Sequence, residues 1–255
     1  MLKTSTEIGS GTKRIGAEKA IEYIAKSGFS AWDFSMGDMC GYDWKNQRIV
    51  EGASPLLKSN YLSYVRTLRR IGEDNGIICN QSHAPTPLSP LPMRPYLKRA
   101  IECTAEAGGE ICVIHPDNSK TVEENVEFFS ELLPFAKGCN VKIATENMWN
   151  WDFEKDQATF AACSTPENFC AHVKAMNDDA FVACLDIGHA EMKGLNSSAV
   201  SMIEALGDKL QALHIHDNEK WHDYHQIPFS MGIDFYKVAQ ALKKIGYGGF
   251  YTLEA

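Results

Sequence analysis

Short apolar runs alternate with helical patterns along the whole chain. Most runs are nearly continuous apolar stretches that end in a polar residue, which is typical of parallel strands covered by helices. Between them, segments such as 122–133 and 235–245 repeat apolar residues every three or four positions and indicate amphipathic helices. The predicted strands are Thr4–Gly9, Ala31–Met36, Ile77–His83, Ile111–His115, Val141–Glu146, Phe181–Asp186, Leu210–His216 and Phe250–Glu254.

This alternation predicts the fold class. Eight strand–helix units in 255 residues predict an α/β protein with one closed (β/α)8 TIM barrel that occupies residues 1–255 as a single domain. The alternative is an open doubly wound sheet, which would want a G-x-G-x-x-G loop after an early strand, and none is present there. No helical pattern follows the eighth strand, so we expect the last outer helix to be absent or to lie outside these residues.

The composition and charge of the chain limit which classes of binding partner are expected. The chain is 44% hydrophobic and 23% charged, as in ordinary globular proteins, and its net charge is −8. The short basic group Arg66, Arg69 and Arg70 has the spacing of a solvated helix face rather than of a phosphate-binding surface. We therefore do not expect nucleic acid as a partner, and we leave a homo-oligomer open.

The cysteines and the N-terminus indicate a cytoplasmic protein. Eight cysteines are scattered without a C-x-x-C pair, and several lie in apolar runs, so we expect free thiols in a reducing compartment. The sequence begins without the apolar core of a signal peptide, and no run is long enough to cross a membrane.

Acidic and histidine side chains gather at the predicted strand ends. In a barrel of this kind, the C-terminal ends of the strands face the active site. Packing alone explains poorly why so many ionisable groups converge on one face, because a buried carboxylate needs a partner to offset its lost hydration. A divalent cation with nitrogen and oxygen ligands supplies such a partner. The residues at or just after strand ends are Asp33, His83, His115, Glu146, Asp186, His189, His214, His216, Asp217 and Glu254.

Strands six and seven carry the most informative spacings. Asp186 ends a strand, and Gly188 is expected to permit a sharp turn that brings His189 back toward the same site. His214 and His216 lie two apart on one strand, so they point to the same face. Spacing alone does not choose which of these two histidines binds a metal.

Two loops hold further candidates. Asp223 and His225 follow strand seven and are either ligands of a second ion or part of a polar surface loop. Trp149 and Trp151 follow strand five, and Trp32 lies in strand two. These indoles are interpreted either as walls for the apolar face of a substrate or as ordinary core and lid aromatics.

Several motifs resemble those of the xylose-isomerase-like barrel superfamily, which includes sugar (phosphate) isomerases and epimerases and the endonuclease IV type of DNA repair enzyme. The resemblance covers nearly the whole chain, from strand two to strand eight. Its segments are Ser82-His83-Ala84-Pro85, Ile114-His115-Pro116, Thr145-Glu146-Asn147, Leu185-Asp186-Ile187-Gly188-His189-Ala190, Leu213-His214-Ile215-His216-Asp217, Gly246-Tyr247-Gly248-Gly249 and Leu253-Glu254.

The resemblance implies roles for these residues. It implies that the metal ligands are Glu146, Asp186, His214 and Glu254, and that the two glutamates also act as acid and base. It implies a substrate-binding residue six positions after Glu146, where this chain has Asp152 and the epimerases often have Glu. It implies a second substrate-binding residue six positions after His214, where this chain has Lys220 and the family often has Arg.

The endonuclease type gives the alternative function. Five residues match its further zinc ligands: His83, His115, His189, Asp223 and His225. That type continues after its Glu-Asn with Thr-Ala-Gly, whereas this chain has the indole-rich segment 148–152, which suits a sugar ring better than a DNA groove. The alternative to the isomerase is therefore a zinc-dependent phosphoesterase of the endonuclease IV type.

Together, these features predict a metal-dependent isomerase or epimerase of a small sugar, sugar phosphate or polyol, in which Glu146 and Glu254 move a proton next to a carbonyl. The expected divalent metal is Mn²⁺ or Zn²⁺, with Mg²⁺ and Co²⁺ as alternatives. The expected substrate-binding residues are His189, Asp152, Lys220, His83, His115 and Trp149, and the candidates for a second metal are Asp223 and His225.

Overall fold

Eight strands lie side by side in parallel and form one sheet in a computed structural model that describes residues 2–255. All of them fall in the predicted runs, although the first, fourth and seventh end two residues earlier than predicted. Their bounds are Thr4–Glu7 (β1), Ala31–Ser35 (β2), Ile78–His83 (β3), Ile111–Val113 (β4), Lys142–Glu146 (β5), Phe181–Asp186 (β6), Leu210–His214 (β7) and Tyr251–Leu253 (β8).

The first and last strands of the sheet meet, so the sheet is a barrel. Each strand pairs with its neighbour along the chain, and β8 pairs with β1. Between β7 and β8, the Ile215 amide donates to the Thr252 carbonyl at 2.9 Å and the Glu254 amide donates to the Ile215 carbonyl at 3.0 Å. The open doubly wound alternative is therefore wrong, and the predicted TIM barrel is confirmed.

Helices surround the barrel, and capping residues set where several of them begin. Thr121 and Glu124 form a reciprocal capping box at one helix, and the Thr165 hydroxyl accepts from the Asn168 amide at another, as its Thr-Pro-Glu start indicates. The helices are Gly9–Ile15 (α1), Ala17–Lys26 (α2), Tyr61–Asp74 (α3), Arg94–Ala107 (α4), Val122–Gly138 (α5), Pro166–Met176 (α6), Ile187–Ala190 (α7), Ala199–Leu206 (α8) and Phe235–Lys244 (α9).

Two apolar cores lie on the two sides of the barrel wall. The larger core packs the strands against the helices and holds the bulkiest buried side chains, among them Trp32, Phe129 and Phe181. The interpretation of Trp32 as a substrate wall is wrong, because its ring is fully buried in this layer and packs on Phe34. The smaller core consists of Val113, Ala144, Val182, Cys184 and Ala212.

Two β-hairpins, which the sequence did not predict, extend the loops after β2 and β5. Cys40–Asp43 pairs antiparallel with Arg48–Glu51, and Asn150–Asp152 pairs with Gln157–Thr159. Their strands are only three or four residues long and mostly polar, so they lack the apolar run that marks a barrel strand. The second hairpin carries Trp151 beside the C-terminal face of the barrel.

The state of the cysteines and the lengths of the helices can be compared with what the sequence predicts. All eight cysteines are free, as expected. Within residues 2–255, no helix is both long and apolar enough to cross a bilayer.

Candidate metal centre

Four side chains meet at the C-terminal end of the barrel. Glu146, Asp186 and His214 are the last residues of β5, β6 and β7, and Glu254 directly follows β8. Each offers one ligand atom, and these four atoms all lie within 4.8 Å of one another. The structure thus brings together the four predicted metal ligands, which we call the central group.

The geometry separates the two histidines that follow β7. His214 Nδ1 lies 3.1 Å from Glu146 Oε1 and 3.4 Å from Glu254 Oε2. His216 Nε2 instead lies 3.1 Å from Asp186 Oδ1 and does not belong to the central group. His214 is therefore the histidine that shares a site with both glutamates.

Burial and neighbouring histidines act against each other on the central carboxylates. At Glu146, burial opposes ionisation, but His214 and His115 outweigh it and hold the pKa well below its usual range. At Asp186, His189 and other nearby histidines outweigh burial in the same way and lower the pKa. At Glu254, burial wins and raises the pKa to about 7.

The central group has the chemistry of a cation site. Glu146 Oε2 and Asp186 Oδ2 are buried carboxylate oxygens with no hydrogen-bond partner. Three carboxylates crowd around one imidazole, and a buried carboxylate without a partner is costly. A divalent cation bound by oxygen and nitrogen ligands would satisfy these atoms, so the residues present fit the metal that the sequence predicts.

Two histidines face each other beside Glu146. His83 Nε2 and His115 Nε2 are 2.7 Å apart, and they lie 3.6 Å and 3.2 Å from Glu146 Oε2. Burial and the charge of His115 lower the pKa of His83 well below its usual value. We call His83 and His115 the histidine pair. Together with Glu146, they form a second group of candidate metal ligands.

A third group is built around an aspartate. Asp223 Oδ2 lies 3.1 Å from His189 Nε2 and 3.3 Å from His225 Nε2, and Asp223 Oδ1 lies 3.3 Å from His216 Nε2. The ring of His216 stacks on that of His225, with centroids 4.0 Å apart. We call His189, His216, Asp223 and His225 the aspartate-centred group. Their ligand atoms also lie close enough together to hold an ion.

The family model for the xylose isomerase-like TIM barrel matches residues 21–255. The chain belongs to this family. The superfamily resemblance expected from the strand-end motifs is thereby confirmed.

Solved members of this fold overlay nearly the whole chain. A D-tagatose 3-epimerase-like protein has a TM-score of 0.73 at 22% identity and covers 99% of this chain and 90% of its own. A D-psicose 3-epimerase solved in the presence of D-fructose has a TM-score of 0.74 at 17% identity, over 99% and 84% of the two chains. The 3-keto-D-glucoside 4-epimerase YcjR of E. coli has a TM-score of 0.73 at 13% identity, over 100% and 92%.

Curated relatives are similar in sequence as well. The uncharacterized protein MJ1311 of Methanocaldococcus jannaschii is 27% identical over 92% of this chain and 78% of its own length. The uncharacterized protein y4fM of Sinorhizobium fredii is 28% identical over 59% of this chain and 49% of its own length.

Two residues next to the candidate ligands, Asn147 and Asp217, hold the site in place, a role that was not predicted for either of them. The Asn147 side chain donates to the Asp186 carbonyl at 2.9 Å and accepts from the Asp186 amide at 2.8 Å. His189 Nδ1 donates to the Asn147 carbonyl at 2.9 Å. Asp217 accepts from the amides of residues 218, 231, 232 and 233 and so fastens the loop that carries Asp223. The position of Asn147 directly after a metal-ligand glutamate was the available signal.

Gly188 serves a purpose other than the predicted sharp turn. It lies inside α7 and is absent from the glycines with a positive φ. A Cβ atom there would lie 1.9 Å from His216 Cε1, so only glycine leaves room for that ring. Glycine is therefore needed at position 188 for the close approach of the His216 ring, and not for the turn that the sequence predicts.

The structure places the other predicted substrate residues toward the rim. Asp152 caps a hairpin turn and pairs with Lys155 at 3.1 Å, and Lys220 Nζ donates to Glu191 at 2.9 Å. Trp149 is closer to the ligands, since its ring lies 6.4 Å from that of His189. The roles of Asp152, Lys220 and Trp149 stay predictions.

An open cleft adjoins the central group on the β1 and β2 side. It has a volume of about 280 Å³, and Glu254 and His225 form part of its wall. Glu7, Ser35 and Asp38 line the same cleft. Small polar molecules therefore have a route to the C-terminal face of the barrel.

Proposed function

We propose that this protein is a metal-dependent isomerase or epimerase of a small sugar or polyol. The observation that carries the proposal is that Glu146 Oε1 and Glu254 Oε2 both face His214 Nδ1, at 3.1 Å and 3.4 Å. Two carboxyl groups in one site suit a reaction that removes a proton and returns one.

The residues of the central group have different roles in this reaction. When Glu146, Asp186, His214 and Glu254 hold a divalent cation, it supplies Lewis-acid polarisation of a substrate carbonyl. Glu146, ionised by its histidine neighbours, accepts the proton from the carbon next to that carbonyl, and an enediolate of the substrate forms. Glu254 returns a proton to the opposite face of that carbon in an epimerisation, or to the neighbouring carbon in an isomerisation.

The surroundings suit a small hydroxylated substrate. His83, His115 and His189 face the central group and are proposed to hold substrate oxygens. Trp149 offers an apolar ring beside His189. The similar folds of the D-tagatose, D-psicose and 3-keto-D-glucoside epimerases support a sugar substrate, and one D-allulose 3-epimerase was solved with its sugar bound.

Hydrogen exchange with solvent tests the proposal directly. Metal-supplemented protein is incubated with D-fructose, D-tagatose and D-psicose in D₂O, and deuterium at the carbon next to the carbonyl is followed by NMR. We expect exchange with the wild type and a fall of about 10³-fold in Glu146→Gln and in Glu254→Gln, given the usual worth of a general acid or base. Glu102→Gln is the matched control, because Glu102 bonds Tyr61 far from the site. Full activity in both test variants would rule out the two-glutamate mechanism.

A second candidate function is a multinuclear metal-dependent phosphoesterase. The specific observation that favours it is the presence of two further groups of candidate ligands beside the central group, one with the histidine pair and one with the aspartate. Elemental analysis separates the two functions: about one ion per chain favours the isomerase, and two or three favour the phosphoesterase. Hydrolysis of bis-p-nitrophenyl phosphate by the loaded protein, without sugar exchange, would decide for the phosphoesterase.

A further inference from the structure

We propose that Asp33 is the positioning residue of the central group, and that it holds His214 so that Nδ1 rather than Nε2 faces the cation. The inference rests on the metal site proposed above. It assigns a role to a buried carboxylate that neither the proton transfer nor the ligand set uses.

The contacts of Asp33 fix the orientation of the ring. Asp33 lies on β2 and is fully buried. Its Oδ2 atom lies 3.3 Å from His214 Nε2. Because a carboxylate only accepts hydrogen bonds, Nε2 carries the hydrogen in this contact. The other nitrogen, Nδ1, is then the one turned toward Glu146 and Glu254.

Gln81 on β3 holds Asp33 from the other side. Gln81 Nε2 donates to Asp33 Oδ2 at 2.9 Å and to the Leu213 carbonyl at 3.3 Å. The amide cannot be reversed without loss, because Gln81 Oε1 already accepts from Asn80 Nδ2 at 3.2 Å and from Thr252 Oγ1 at 3.3 Å. Side chains of β3 and β8, together with a backbone carbonyl of β7, thus direct one amide hydrogen of Gln81 toward Asp33.

A purely structural role explains this carboxylate poorly. A buried carboxylate costs several kcal/mol of desolvation unless it is paired. Within residues 2–255, His214 is the only basic side chain within ion-pair distance of Asp33. Metal-ligating histidines commonly donate their second N–H to a carboxylate, which fixes the tautomer of the ring.

The test is the affinity of the central group for Zn²⁺. The ring ¹⁵N signals of His214 are followed as Zn²⁺ is added against a competing chelator, so that the readout comes from this site alone. We expect Asp33→Asn to raise the Kd by about 10- to 100-fold, as loss of such a partner usually does. Asp117→Asn is the control, because Asp117 accepts from Ser119 in a loop outside the ligand groups.

A measurement on the wild type keeps the inference testable if Asp33→Asn does not fold. In the Zn²⁺ form, the His214 ring should show a metal-bound Nδ1 and a protonated Nε2. Gln81→Met, which keeps the volume and removes the donor, should weaken Zn²⁺ binding less than Asp33→Asn does. A metal-bound Nε2, or a Kd within twofold of wild type in Asp33→Asn, overturns the inference alone. A wild type that binds no cation at His214 overturns the proposed function as well.

Discussion

The histidine pair and the aspartate-centred group flank the same four candidate ligands, yet His83 in the first and His225 in the second have pKa values shifted in opposite directions. His83 has a lowered pKa, because burial and its neighbour His115 both disfavour the cation and Glu146 does not compensate. At His225, burial also disfavours the cation, but the hydrogen bond and charge of Asp223 outweigh it and raise the pKa to about 9.

The difference comes from the number of carboxylates that each group can use. The histidine pair shares Glu146, whose other oxygen already faces His214. The aspartate-centred group has Asp223 to itself and also contacts Asp186 through His216. Of these two buried imidazoles, the cation is favoured at the one whose carboxylate is reserved for its group and disfavoured at the one whose carboxylate is shared. The same reasoning indicates that His83 presents a neutral ring, which is the form that binds metals or substrate oxygens.

Glu146→Gln should have the largest effect, because Glu146 belongs to both the central group and the candidate ligands around the histidine pair. We expect its Kd for Zn²⁺ at His214 to rise by more than about 100-fold, beyond the usual effect of losing an outer partner. Asp223→Asn should leave that Kd nearly unchanged, since Asp223 is absent from the central group. Chelator competition measures both values, and equal losses in the two variants would show that the groups do not act separately.

Gly188→Ala should damage the aspartate-centred group and spare the histidine pair. The added methyl group would overlap His216, which is fully buried and has no room to move. Overpacking of this kind typically lowers the free energy of unfolding by about 1–3 kcal/mol. Gly138→Ala is the control, because a Cβ at the end of α5 meets nothing within 4 Å. Denaturant unfolding measures both, and an unchanged midpoint for Gly188→Ala would contradict the steric explanation.

Gly188 also illustrates what the sequence could predict. The alternation of runs and helices was enough for the barrel, because each barrel strand has its own apolar segment. Side chains at the C-terminal ends of barrel strands face the active site. This was enough to select Glu146, Asp186, His214 and Glu254 from the sequence, because all four lie at or directly after a strand end. Contacts between residues that follow different strands, such as the ring of His216 against Gly188, depend on distances between strands that no spacing within one segment encodes.

Asp33 shows the same limit on the other side of the site. The sequence analysis predicts it at a strand end, whereas it lies in the middle of β2, and the sequence does not show that it contacts His214, which is 181 residues away. The register of the parallel strands brings the two side chains into contact. That register depends on how side chains of neighbouring strands pack together. For Asp223 and His225 the sequence left two interpretations open, a second ion site or a polar surface loop. In a loop, unlike in a strand, the sequence pattern does not indicate where each side chain points.

The pH dependence of stability should run in opposite directions for the two groups in chelator-treated protein. The pKa of His225 is raised to about 9, from about 6.5 in the unfolded chain, so its stabilisation is present below pH 6.5 and is lost as the pH rises through about 9. The pKa of His83 is lowered, so its contribution is present above about pH 6.5 and is lost as the pH falls.

Denaturant unfolding from pH 5 to pH 10 measures these contributions as differences between the wild type and each of His225→Ala and His83→Ala. The wild-type advantage over His225→Ala should shrink toward high pH, and its advantage over His83→Ala should shrink toward low pH. Asp223→Asn should abolish the first trend and leave the second. Parallel curves for all variants would contradict the assignment of opposite pKa directions.

Lys220→Ala should have the smallest effect on stability, although Lys220 lies on the loop that leads to Asp223. Its ammonium pairs with Glu191 at 2.9 Å while the side chain remains 44% exposed, and an exposed pair contributes at most about 1 kcal/mol. We therefore expect the free energy of unfolding to change by less than about 1 kcal/mol, with Lys155→Ala, which removes the pair with Asp152, as the matched control. A larger loss would mean that this loop, and not Asp223 alone, maintains the aspartate-centred group. With stability unchanged, a rise in KM at constant kcat would support the predicted contact of Lys220 with substrate, because such a change reports lost binding rather than lost chemistry.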